Sequence, residues 1–129
     1  MNKPSLRALL LILSLAVSVT AQTPQRIKFA KGRNSVVVKG TTGSNGVTYL
    51  LRANSGQKLI LKLNPSSGAG IKVETDGSFG HQVLLDEEKG GTYQVGLEES
   101  GDCAIFIGST NGKSVSFTLT IRIARMTDI

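Results

Sequence analysis

The sequence predicts an all-β protein, an antiparallel β-sandwich of jelly-roll-like build with about eight strands. Three observations carry that prediction. Apolar and polar residues alternate with a period of two, most clearly in Val115, Phe117, Leu119, Ile121 and Ile123 against Ser116, Thr118, Thr120 and Arg122. Turn formers recur about every 8–12 residues, a sandwich spacing, at Lys31-Gly32, Asn45-Gly46, Asn54-Ser55-Gly56, Pro65-Ser66-Ser67-Gly68, Asp76-Gly77, Gly90-Gly91, Gly101-Asp102 and Asn111-Gly112. Beyond residue 21 no segment requires a helix.

In chain order, Arg26–Phe29 and Ser35–Lys39 are short strands rich in β-branched or aromatic residues. Val47–Ala53 places Val47, Tyr49, Leu51 and Ala53 on one face. In the next run Leu59, Leu61 and Leu63 alternate with Lys58, Ile60 and Lys62, so the lysines, with Lys28, are expected on an outward, solvent-facing side. Ala69–Glu74, Thr92–Leu97, Cys103–Ile107 and the run from Val115 complete the set. Asp76–Lys89 lacks alternation and reads as the longest loop. Asn111-Gly112 suits a type I′ turn, which predicts a hairpin between Cys103–Thr110 and Lys113–Ile123. The expected core holds Phe29, Val36, Val38, Tyr49, Leu51, Leu59, Leu61, Tyr93, Val95, Ile105, Phe117, Leu119 and Ile121.

The N-terminus reads as an export signal. Lys3 and Arg7 form a positive region, Ala8–Val17 an apolar one, and Val19-Thr20-Ala21 a small-residue cleavage site. The apolar run falls short of the roughly 20 residues that a spanning helix needs, so no membrane anchor is expected. Residues 1–21 are therefore assigned as signal peptide and 22–129 as a single domain, with a periplasmic or secreted destination. The one cysteine, Cys103, cannot form an internal disulfide and is expected to be a small buried hydrophobe.

Charge is uneven. The chain carries a formal net charge of +6, and no acidic residue precedes Glu74. Glu74, Asp76, Asp86, Glu87, Glu88, Glu98, Glu99 and Asp102 then follow closely. Export argues against nucleic acid as the partner of the basic half; an anionic envelope polymer would feel the same attraction.

Few residues could support catalysis. His81 is the only histidine and has no nucleophile motif beside it, so it reads as an exposed loop residue. Adjacent surface carboxylates read as solvated rather than as a glycosidase pair. One Cys and one His cannot complete a zinc site. Asp76, Asp86, Glu87 and Glu88 could gather around Ca²⁺, although no spacing signature marks them. No enzyme activity, cofactor or resident metal is expected.

Four segments carry a resemblance: Ile27-Lys28-Phe29-Ala30-Lys31-Gly32, then Tyr49 with Arg52-Ala53-Asn54-Ser55-Gly56-Gln57-Lys58-Leu59, then Glu99-Ser100-Gly101-Asp102, and Phe117-Thr118-Leu119-Thr120-Ile121. Over residues 26–123 the chain resembles the small exported β-sandwich inhibitors of goose-type lysozyme found in Gram-negative bacteria, and the related pre-peptidase C-terminal domains. The resemblance implies a non-catalytic protein-binding domain whose loop at Glu98, Glu99, Ser100, Gly101 and Asp102 enters a lysozyme cleft. An alternative is a structural or adhesive envelope domain that binds cell-envelope polysaccharide or another extracellular protein.

Overall fold

Alternating apolar residues fold the chain into nine strands and no helix among the described residues: β1 (Gln25–Arg26), β2 (Ser35–Thr42), β3 (Val47–Ala53), β4 (Gln57–Asn64), β5 (Ala69–Gly77), β6 (Gly80–Glu87), β7 (Gly91–Gly96), β8 (Gly101–Ser109) and β9 (Val115–Arg125). The computed structural model describes residues 23–43 and 45–126. The expected signal peptide and its expected cleavage site after Ala21 lie outside them.

The strands form a five-stranded sheet, ordered β1-β3-β8-β5-β6, and a four-stranded sheet, ordered β2-β9-β4-β7. All pairs are antiparallel except β1 with β3. This is a β-sandwich, as expected, with β6 as the strand that the sequence reading left out. The alternate residues of each inner face meet between the sheets: Tyr49, Leu51, Ile71, Val73, Ile105 and Ile107 from one, Leu59, Leu61, Leu63, Phe117, Leu119 and Ile121 from the other, all buried. Tyr49 and Phe117 meet edge to face across the core, ring centroids 6.4 Å apart. Of the expected core, Phe29, Val36, Val38 and Tyr93 are half-buried at its margin, and the Tyr93 hydroxyl donates to the Lys89 carbonyl at 2.7 Å.

Four expectations are corrected. The segment after Asp76 is not a long loop but the hairpin β5–β6, closed by Ser78 and Phe79 between the paired Gly77 and Gly80. Gly80 adopts φ +87°, which a glycine accepts without strain. Strand β6 lies at the sheet edge and is largely exposed, so no buried face imposed alternation on it. Its extra residue, Leu84, is a bulge between the pairs Val73–Leu85 and Glu74–Val83, which breaks the period as well.

Asn111-Gly112 does not close a hairpin. Strand β8 belongs to the five-stranded sheet and β9 to the four-stranded one, so the turn is part of an arch between layers. Gly112 has φ +78°, and the Asn111 side chain accepts a hydrogen bond from the Lys113 N–H at 2.9 Å. Lys58 faces outward but is buried, at 8% exposure, because its neighbours across the ladders are Gly96 and Ala124, too small to hold its stem away from the sheet. The first strand is only Gln25–Arg26, and Ile27 to Asn34 cross from one sheet to the other, so Phe29 packs from a connection.

Candidate functional site

Three connections meet at one end of the sandwich: the β3–β4 turn at residues 54–56, the β5–β6 turn at Ser78 and Phe79, and the β7–β8 connection at residues 97–100. Each switches direction or sheet, so their free backbone groups need partners. They find them in one another. Gly56 N–H donates to the Leu97 carbonyl at 3.0 Å, and Leu97 N–H to the Gln57 carbonyl at 2.9 Å. The Ser55 N–H donates to Ser100 Oγ at 2.9 Å, and the Ser55 hydroxyl to the Glu98 carbonyl at 2.9 Å. Glu99 receives the Ser78 N–H on one oxygen at 2.9 Å and the Ser78 hydroxyl on the other at 2.8 Å. A Cβ on Gly77 would overlap that carboxylate.

Asp102 is held from the side. Arg26 donates to both of its oxygens, at 3.0 and 2.8 Å, a bidentate pair that ties β1 to the start of β8. Hydrogen bonding to Arg26 holds the Asp102 carboxyl below its ordinary pKa, and the charge of Arg52 adds to the effect. The two Ser78 hydrogen bonds hold Glu99 below the ordinary range likewise. Both groups are therefore anionic at neutral pH.

All five residues expected at the site, Glu98, Glu99, Ser100, Gly101 and Asp102, line one cavity of about 220 Å³, with Thr75, Gln82 and Leu84 behind them. Their roles differ from a freely protruding acidic loop. Glu99, Ser100 and Asp102 are engaged within the protein, and Gly101 pairs with Ala53 in the β3–β8 ladder at φ +152°. Glu98 is exposed. The loop is thus a braced rim, with little freedom left to lose on binding.

Phe79 also lines this cavity and is 74% exposed, the most exposed large apolar side chain among the described residues. Sequence reading missed it because it lies in the segment taken for a loop. The signal was present in Gly77-Ser78-Phe79-Gly80, where flanking glycines mark a tight turn that must project its central residues. The two-residue turn holds the aromatic ring in water beside the braced rim.

Other candidates separate from this site. His81 is exposed, as expected, but stands on β6, with Nδ1 at 2.9 Å from Asp76 and Nε2 at 3.5 Å from Glu74. The Asp76 hydrogen bond raises its pKa. Asp86, Glu87 and Glu88 lie at the far end of β6, and no group of three or more His, Cys, Asp or Glu among the described residues could hold a metal ion. Cys103 is buried, as expected, and burial pushes its thiol pKa up to about 11.

The two-layer fold does not by itself specify a chemistry. It resembles the pre-peptidase C-terminal domain of a Bacillus anthracis collagenase, at TM-score 0.50 and 11% identity over 81% of this chain and 97% of that one. It is more similar to PliG of Aeromonas hydrophila, a periplasmic inhibitor of g-type lysozyme, at TM-score 0.69 and 28% identity over 79% of this chain and 96% of that one. PliG of Salmonella Typhimurium, described in the same terms, matches at TM-score 0.63 and 24% identity over 81% and 100%. No protein-family model matches the sequence, and no curated protein matches it either. The similarity to the Aeromonas hydrophila inhibitor supports a non-catalytic role.

Proposed function

We propose that this protein is an exported, non-catalytic domain that inhibits a goose-type lysozyme by covering its active-site cleft with the rim formed by Phe79 and the Glu98–Asp102 segment. The observation that carries the reading is the likeness to Aeromonas hydrophila PliG along nearly the whole length of that chain, 96% of it. The site chemistry fits. Phe79 supplies an apolar anchor of the kind that dominates interface energetics, and Glu98 an exposed carboxylate that steers approach to a cationic surface. The cross-linked turns beneath them make the rim rigid before contact, which lowers the ordering cost of binding. Occlusion needs no covalent step.

The test is an assay of cell-wall lysis by a goose-type lysozyme with purified protein added at micromolar concentration. Wild type is expected to slow lysis. Phe79→Ala is expected to weaken inhibition by about 30-fold or more, the effect of losing a hot-spot side chain, while leaving the thermal midpoint unchanged. Glu98→Lys is expected to slow association most strongly at low salt. A wild-type protein that leaves lysis untouched retires the inhibitor reading in favour of an envelope-binding domain.

A further inference from the structure

We infer that β2 is an interface for a second copy of this chain, joining two four-stranded sheets edge to edge through an antiparallel β2–β2 junction centred on Val37. The sandwich has four sheet edges, β1, β6, β2 and β7. β1 has only 2 residues, and β7 has 6 with a glycine at each end. β6 is bulged at Leu84, a device that discourages strand addition. β2 runs unbulged for 8 residues, pairs with β9 throughout, and has no strand on its other side among the described residues. Its central Val37 is 56% exposed.

The hydrogen-bond phase decides which backbone groups are free. Ile123 N–H donates to the Asn34 carbonyl at 2.9 Å, and Ser35 stands opposite Arg122. In an antiparallel ladder, bonded residues alternate, so Val36, Val38, Gly40 and Thr42 bond to β9, while Ser35, Val37, Lys39 and Thr41 turn their N–H and C=O groups to the open edge. A second copy can add only by pairing open residues with open residues. Pairing centred on Val36 would set Arg33 against Lys39 of the other copy, a like-charge opposition. Pairing centred on Val37 sets Val37 against Val37 and Lys39 against Ser35, with no charge conflict. Pairing centred on Val38 is also free of charge conflict but sets Val37 against Lys39; only the Val37-centred register sets the two exposed valines opposite each other. It is an isologous contact and closes at a dimer.

A strand junction alone covers less than the roughly 1,200 Å² typical of stable interfaces, so the dimer is expected to be weak and concentration-dependent. Sedimentation equilibrium of the purified protein from micromolar to millimolar concentration should show the mass rise from monomer towards dimer. Ser35→Lys, which puts lysine opposite Lys39, should raise the dissociation constant roughly threefold or more. The double variant Ser35→Lys/Lys39→Glu should bring it below the wild-type value, because each end then pairs opposite charges. Val37→Pro removes one open-edge N–H without touching the β9 ladder and should abolish association, with circular dichroism confirming the fold. A wild-type protein that stays monomeric across the range overturns the inference. So does equal association by all the charge variants, which would mean that the copies meet through another surface.

Discussion

The carboxylates of Glu99 and Asp102 are kept charged by different donors, Ser78 for one and Arg26 for the other, and both have pKa values lowered by folding. A carboxylate of that kind contributes stability that is complete above its unfolded pKa, about 4, and is lost as pH falls through the lower folded value. The thermal midpoint is therefore expected to fall as pH drops below about 4–5, and the double variant Glu99→Gln/Asp102→Asn to fall less over the same range, as calorimetry would show. His81 has the opposite sign. Its pKa is raised by Asp76, so its contribution is complete below its unfolded value near 6.5 and lost as pH rises through the folded one. Thr42 is a separate case: its hydroxyl is buried and has no hydrogen-bond partner among the described residues. Thr42→Val keeps the shape and removes the unsatisfied group, so denaturant unfolding should show a gain of about 1 kcal/mol.

At the scale of elements, β9 was readable because both of its faces have a fixed environment. Phe117, Leu119 and Ile121 are buried between the sheets, and Phe117 is in contact with Tyr49. Phe117→Ala is expected to cost about 3–5 kcal/mol by denaturant unfolding, through lost transfer energy and the cavity left behind. A loss under about 1 kcal/mol would show that the site collapses around the smaller residue. β6 was not readable for the converse reason. An exposed edge strand with a bulge buries no continuous face, so its residues need not alternate, and Phe79 at its entry was hidden with it. The Asn111-Gly112 signal was read correctly as a turn with φ > 0 at Gly112, and wrongly as a hairpin. Turn chemistry sets local direction; it does not choose the sheet that the next strand enters.

Across the whole molecule, the two sheets are woven by strands that change layer: β3, β4 and β5 alternate between sheets, as do β7, β8 and β9. Strand β9 lies between β2 and β4, and its pairs with them extend along the full length of both. Removing it separates β2 from the rest of its sheet and opens the core, including Tyr49, to water. A chain ended after Ser114 is therefore expected to lack the β-sheet circular dichroism and dispersed amide resonances of the whole protein. Because neither layer is continuous in sequence, unfolding should be a single cooperative transition. The inferred β2–β2 junction belongs to this scale too: β2 is free on one side because the chain places it last in its sheet.

The sequence by itself determined the all-β class, most strand positions, the buried Cys103, and the crowding of acidic residues after Glu74. Those properties are local: a two-residue period and a turn residue follow from what each side chain does to its own backbone and its own face. The tertiary structure decided which residues at the candidate site are available. Asp102 could not be known to be clamped by Arg26, 76 positions away in the chain, nor Glu99 to be held by Ser78, until strand order placed them side by side. It also decided that Phe79 stands exposed beside them and that Lys58 is covered. Exposure and pairing depend on non-neighbouring strands, and the period of a strand does not encode its partner.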